Sequence, residues 1–208
     1  MPASCLRCRT GSAHRWKSDT AFLYESMHNK IVMDSRMTLA ESLAGTIAPR
    51  AVIRALRLLE VTYYSFDGRL HRGQLLLHEA VEKDVREIFR LIEAVRFPVG
   101  RAVPIVRYHW SDDASMADNN SSAFNYRPVA GTKRLSHHAS GRAVDINPRQ
   151  NPAVYKDGRV APLGTAYDPA GAGAFSESSL VLRAFLSRGW QWGAGFETVR
   201  DYHHFQKP

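Results

Sequence analysis

A chain of 208 residues, 44% hydrophobic and 23% charged, can bury one sizeable core but is short for two domains. Its net charge of +8 favours acidic partners such as nucleic acid, anionic headgroups or the phosphate- and carboxylate-rich bacterial envelope. The basic residues are scattered and no aromatic-plus-basic module appears, which argues against nucleic acid; no run of about 18 apolar residues predicts a membrane span.

Residues 1–36 are polar and weakly patterned, so they read as a flexible or loosely packed extension ahead of a domain at 37–208. Cys5 and Cys8 form a Cys-x-x-Cys pair, but a closed zinc site needs two further ligands. His14 alone does not complete it, and the two thiols read as incidental. The first twenty residues are basic with no apolar stretch behind them, so no export signal is visible.

Thr38 and Glu41 have capping-box spacing and predict a helix running to about residue 59, interrupted at Pro49. Arg50, Arg54 and Arg57 would form its solvated face. Residues 61–66 are β-branched and aromatic, Asp67-Gly68 is a turn signal, and residues 75–77 read as the returning strand. Residues 78–95 carry the clearest helical period, through Val81, Val85, Ile88, Phe89, Ile92 and Val95. A strand is expected at 103–108, a surface loop at 111–122 and a strand at 123–129. Residues 142–147 read as a buried strand and 154–160 as a hairpin around Asp157-Gly158. Ser179, Leu182, Phe185 and Leu186 mark a helix stopped by Gly189, and residues 203–206 form the last strand. The pattern predicts an α+β single domain with a largely antiparallel sheet flanked by helices.

Four of the nine histidines fall in two pairs, His137-His138 and His203-His204, each near an aspartate and a predicted strand. Gly141 permits a tight bend that folds His138 back towards Asp145. Ala143 shares a strand face with Asp145 and leaves space beside the carboxylate, while Val144 and Ile146 point into the core. A catalytic zinc takes three N or O ligands and keeps one position open. A third imidazole comes from the second pair, and Asp201 is a carboxylate able to take a proton from bound water. Spacing alone does not choose His138 over His137, or His204 over His203.

The run Ser136, His138, Gly141, Ala143, Asp145 resembles the SxHxxGxAxD signature of the D-alanyl-D-alanine carboxypeptidase and L-alanyl-D-glutamate endopeptidase family of zinc peptidases. That family includes VanX- and VanY-like enzymes and phage endolysins. Asp201-x-x-His204 is similar to its second signature, and residues 122–127 resemble the segment ending in a substrate-binding arginine. The resemblance implies a zinc site on the sheet held by His138, Asp145 and His204, with Asp201 as general base. Arg127 would hold a substrate carboxylate or stabilise the oxyanion, with Tyr126 and Ser136 also at the substrate. Aspartate at 201, where many members carry glutamate, is closer to the endopeptidase and endolysin branch.

The implied substrate is the peptidoglycan stem peptide, cut by a monomer acting in the periplasm or at the cell wall, or released like a phage lysin. The alternatives are a D-alanyl-D-alanine carboxypeptidase or, in another class, a non-catalytic zinc-binding module of hedgehog-like architecture. His137 and His203 read as neighbours that could contact substrate, Asp112-Asp113 as a solvated loop pair, and Trp190 and Trp192 as packing beside the site. His71 and Gln74 could border the cleft.

Overall fold

The computed structural model describes Met1 and Ile31–Pro208; Cys5, Cys8 and most of the expected extension lie outside the described residues. From residue 32 the chain is tied to the domain. β1 (Val32–Met33) pairs in parallel with residues 71 and 72, and Ser35 Oγ and Met37 N both donate to Gln74 Oε1 at 2.7 Å. The boundary drawn at residue 36 from polar composition thus falls inside a bonded segment.

α1 (Leu39–Ser42) has the expected capping box: Thr38 Oγ1 accepts from Glu41 N, and the Glu41 carboxylate accepts from Thr38 N. The long helix to residue 59 does not form. α2 (Arg50–Arg54) begins after Pro49, whose fixed φ suits a helix start, and it ends at Ala55. β2 (Leu56–Tyr64) follows, because Leu59, Val61 and Tyr63 recur at the strand period of two and are all buried. Arg57 therefore lies on a strand, paired with Glu79, and not on a helix face with Arg50 and Arg54.

β3 (Leu70–His78) returns antiparallel through a turn in which Gly68 has φ +75°. α3 (Glu79–Ala94) matches its sequence pattern, with His78 Nδ1 capping Ala80 N at 3.0 Å. Its apolar stripe of Val81, Val85, Ile88, Phe89 and Ile92 joins the main core with Leu75, Leu77 and Tyr63.

Three expectations fail in the next stretch. β4 (Arg101–Ala102) stops before Pro104, which has no N–H for a ladder, and residues 105–108 coil into a 3-10 turn. The loop expected from 111 contains α4 (Asp112–Ala117), capped by Ser111 Oγ on Ala114 N at 3.2 Å. After β5 (Asn120–Ser121), which pairs in parallel with β4, no strand forms over 123–129. The backbone donors here instead go to separate segments: Ser122 N to Asp145 O, Phe124 N to Leu76 O, and Asn125 N to His138 O.

The remaining elements are β6 (Ala143–Asp145), β7 (Ala153–Tyr155), β8 (Val160–Ala161), α5 (Leu180–Leu186), β9 (Gln191–Trp192), β10 (Val199–Asp201) and β11 (His204–Gln206). β6–β11–β9 and β10–β7–β8 are antiparallel three-stranded sheets, and β1–β3–β2 is mixed. The fold is α+β, as expected, and among the described residues its mainly antiparallel pairing is divided among four small sheets. Phe205 and Phe185 stack at 4.0 Å between β11 and α5, and Trp190 Nε1 donates to Asp84 on α3 at 3.0 Å. Among the described residues no helix is long and apolar enough to cross a membrane.

Candidate metal centre

The site begins with strand register. On β6 and β11, Asp145 pairs with His204, Val144 with Phe205 and Ala143 with Gln206. Val144 and Phe205 are fully buried in the core, so alternation turns Asp145 and His204 together to the other face. His138 arrives from a 3-10 turn over residues 137–140, whose first N–H groups are organised by Ser136 Oγ accepting from His138 N at 3.2 Å. Gly141 ends that turn with φ +71°, and a Cβ there would lie 2.7 Å from His78 N. No other residue fits both the backbone and the space.

The donor atoms converge. His138 Nε2 is 3.2 Å from Asp145 Oδ2 and 3.2 Å from His204 Nδ1, which is 3.0 Å from Asp145 Oδ1. One ligand atom from each of the three residues lies within 4.8 Å of the others. A tetrahedral zinc with bonds of about 2.0–2.1 Å sets its ligand atoms about 3.3 Å apart, which is close to the spacing of the two imidazole nitrogens and of each from its nearer Asp145 oxygen. Each ring is also oriented from behind. His138 Nδ1 donates to the Ala123 carbonyl, leaving Nε2 as a lone pair on the cluster. His204 Nε2 donates to Gln206 Oε1 at 3.1 Å, leaving Nδ1 free. Two imidazole lone pairs and a carboxylate facing one another in a buried space favour a cation between them.

The electrostatics agree. Burial opposes the charge on Asp145, but His138 and His203 outweigh it and hold the carboxyl well below its usual range. Burial likewise opposes positive charge at His204, and the Asp145 carboxylate 3.0 Å from its Nδ1 reverses the sign, raising its pKa; the negative potential that draws a proton there draws a metal cation equally. Burial lowers that of His137, which contributes no donor to the cluster.

His203 has a different environment. Its Nδ1 donates to the Asn151 carbonyl at 2.8 Å, and its Nε2 lies 3.0 Å from Asp201 Oδ1. Burial lowers its pKa, yet Asp201 and Asp145 together raise it to about 9. Asp201 ends β10, opposite Ala153 on β7. Gly193 packs against the ends of β10 and β11: a Cβ there would lie 2.5 Å from Asp201 O and 3.1 Å from His204 Cβ.

Arg127 forms an ion pair through Nε with Asp112, and Asn125 Nδ2 donates to the same carboxylate at 2.9 Å. Asp112 therefore has a defined partner and starts α4, which its reading as a solvated loop residue missed. Tyr126 is partly buried against the smaller apolar cluster around Phe124 and Leu76. His71 lies between Asp34, at 3.0 Å, and Asp67, at 3.2 Å, while Gln74 holds Ser35 and Met37; neither supplies an atom to the metal cluster. Trp192 Nε1 donates to Tyr202 O at 2.8 Å, beside the site as expected. Gln206 and its partner Gln191 were missed, although His204-x-Gln206 on a strand signals a shared face.

Residues 130–207 match the family model described as D-alanyl-D-alanine carboxypeptidase. The matched stretch holds His138, Asp145, Asp201 and His204, so the resemblance read from both signatures is supported; Tyr126 and Arg127 lie just outside it. No curated protein and no solved structure matches the chain. The match supports a peptidase acting on peptidoglycan, and leaves the bond it cuts undistinguished.

Proposed function

We propose that this chain is a zinc metallopeptidase that hydrolyses peptidoglycan stem peptides, as an L-alanyl-D-glutamate-type endopeptidase. The observation that carries this reading is the convergence of His138 Nε2, His204 Nδ1 and the Asp145 carboxylate on one buried point. A zinc ion held there would acidify its water towards a pKa of about 7 and polarise the scissile carbonyl. Asp201 takes the proton of the attacking water and returns it to the leaving amine. Its Oδ1 lies 3.0 Å from Nε2 of His203, the residue next to the ligand His204, and this contact supports the assignment. Arg127 binds a substrate carboxylate or the developing oxyanion through the guanidinium nitrogens that Asp112 does not engage. In this reading the protein works as a monomer at the cell wall.

The aspartate at 201 favours the endopeptidase reading; the description of the matched family favours the carboxypeptidase one. Incubating the zinc-loaded protein with a muramyl pentapeptide and weighing the products separates them. The expected product is a peptide beginning with D-Glu. Free D-Ala and the muramyl tetrapeptide as the only new products would replace this reading with the carboxypeptidase one, and turnover unaffected by chelation would remove zinc from both.

A further inference from the structure

His204 is the one ligand whose tautomer the backbone does not set. His138 is fixed by the Ala123 carbonyl, which can only accept. His204 Nε2 instead meets a side chain, Gln206 Oε1, at 3.1 Å. The Gln206 amide is itself held, because its Nε2 donates to Gln191 Oε1 at 2.9 Å. Strand register explains why the three meet. His204 and Gln206 are two apart on β11 and share a face, and Gln206 pairs directly with Gln191 on β9. Phe205 between them points the other way and is clamped by Phe185 and Phe175, at 4.0 and 4.9 Å between centroids. β11 therefore cannot rotate without breaking the core.

We infer that Gln206, supported by Gln191, is a positioning residue for the metal centre: its amide oxygen holds the proton of His204 on Nε2 and so keeps Nδ1 bare and aimed at the cation. The inference rests on the zinc reading of the cluster, but it concerns a residue outside the ligand set. An imidazole free to place its proton on Nδ1 would point N–H at His138 and Asp145 and would have to rearrange before binding. Loss of a partner behind a ligating histidine typically weakens metal affinity about 10–100-fold.

The test is a zinc titration against a chromophoric chelator, with no substrate present. Gln206→Leu should weaken zinc binding by about 10–100-fold. Gln206→Glu, which keeps an acceptor at the same reach, should retain near wild-type affinity. Gln191→Leu leaves Gln206 in place and should lose only a few-fold. Circular dichroism of each variant separates misfolding from mispositioning. Wild-type zinc affinity in a folded Gln206→Leu protein would overturn the inference and leave the zinc centre standing. Equal weakening in Gln206→Leu and Gln206→Glu would also overturn it, since the acceptor oxygen would then not matter. Failure of the unaltered protein to bind zinc would remove the centre and the inference together.

Discussion

Two of the histidine–aspartate clusters among the described residues have opposite geometries. In the hairpin region, the His71 ring lies between two carboxylates, with Asp34 at Nδ1 and Asp67 at Nε2. The two contacts leave opposite sides of one imidazole, so they cannot meet at a single ion. Asp34 also accepts from the Tyr63 hydroxyl, which ties the segment after β1 to the hairpin. In the β6–β11 sheet, three residues turn their donors towards one another: the two imidazole nitrogens lie 3.2 Å apart, and each is 3.0–3.2 Å from its own oxygen of Asp145. What marks a candidate metal site is convergence of donors from several residues, each ring oriented from behind. Adjacency of His and Asp is shared by both regions and decides nothing.

The contrast is open to direct attack. The largest expected effect is at His138: His138→Ala should abolish peptidase activity and weaken zinc by more than the roughly hundredfold seen when only a supporting residue is lost, read by metal analysis and product assay. Retained zinc in that variant would break the contrast at its centre. Asp201→Ala should keep zinc and reduce turnover by about 10²–10⁴-fold, the usual worth of a general base. Near wild-type turnover there would remove the assigned base while sparing the ligands.

His71→Leu should leave zinc affinity and activity unchanged and cost about 1–3 kcal/mol, because two carboxylates lose a buried partner. Chemical denaturation measures it, and a loss of bound zinc would show that the two clusters are not independent. The smallest effect belongs to Asp84, which ties α3 to Trp190 and Lys207. Burial raises its pKa, but the bonds from Lys207 and Trp190 outweigh this and depress it. A depressed folded-state value means stability that is present above the ordinary carboxylate value of about 4 and is lost as pH falls through the depressed one. Asp84→Asn should lower stability by about 1 kcal/mol at neutral pH and flatten that acid limb. An unchanged pH–stability profile would remove the linkage.

Much of the fold was legible where period and punctuation agree. α3, the turn at Asp67-Gly68, the hairpin around Gly158 and the capping of α1 and α5 all follow from local chemistry. The failures lie where local pattern met a tertiary competitor. Residues 56–59 looked helical until β3 offered a ladder, and residues 123–129 looked like a strand although the donors of Phe124 and Asn125 go to β3 and the turn of His138. Asp112 looked solvated because its partners, Arg127 and Asn125, are 15 and 13 residues away.

The sequence by itself determined the elements of the metal cluster: an aspartate on a strand, a glycine-ended turn before it, and two histidine pairs. Sequence resemblance pointed to one member of each pair. Only the tertiary structure decided which nitrogens face inward, because a tautomer depends on what lies behind the ring. For His138 that is a carbonyl 15 residues away, and for His204 a glutamine amide steadied by a neighbouring strand. Strand alternation can be read along a chain; the partner across the sheet has to be folded into place.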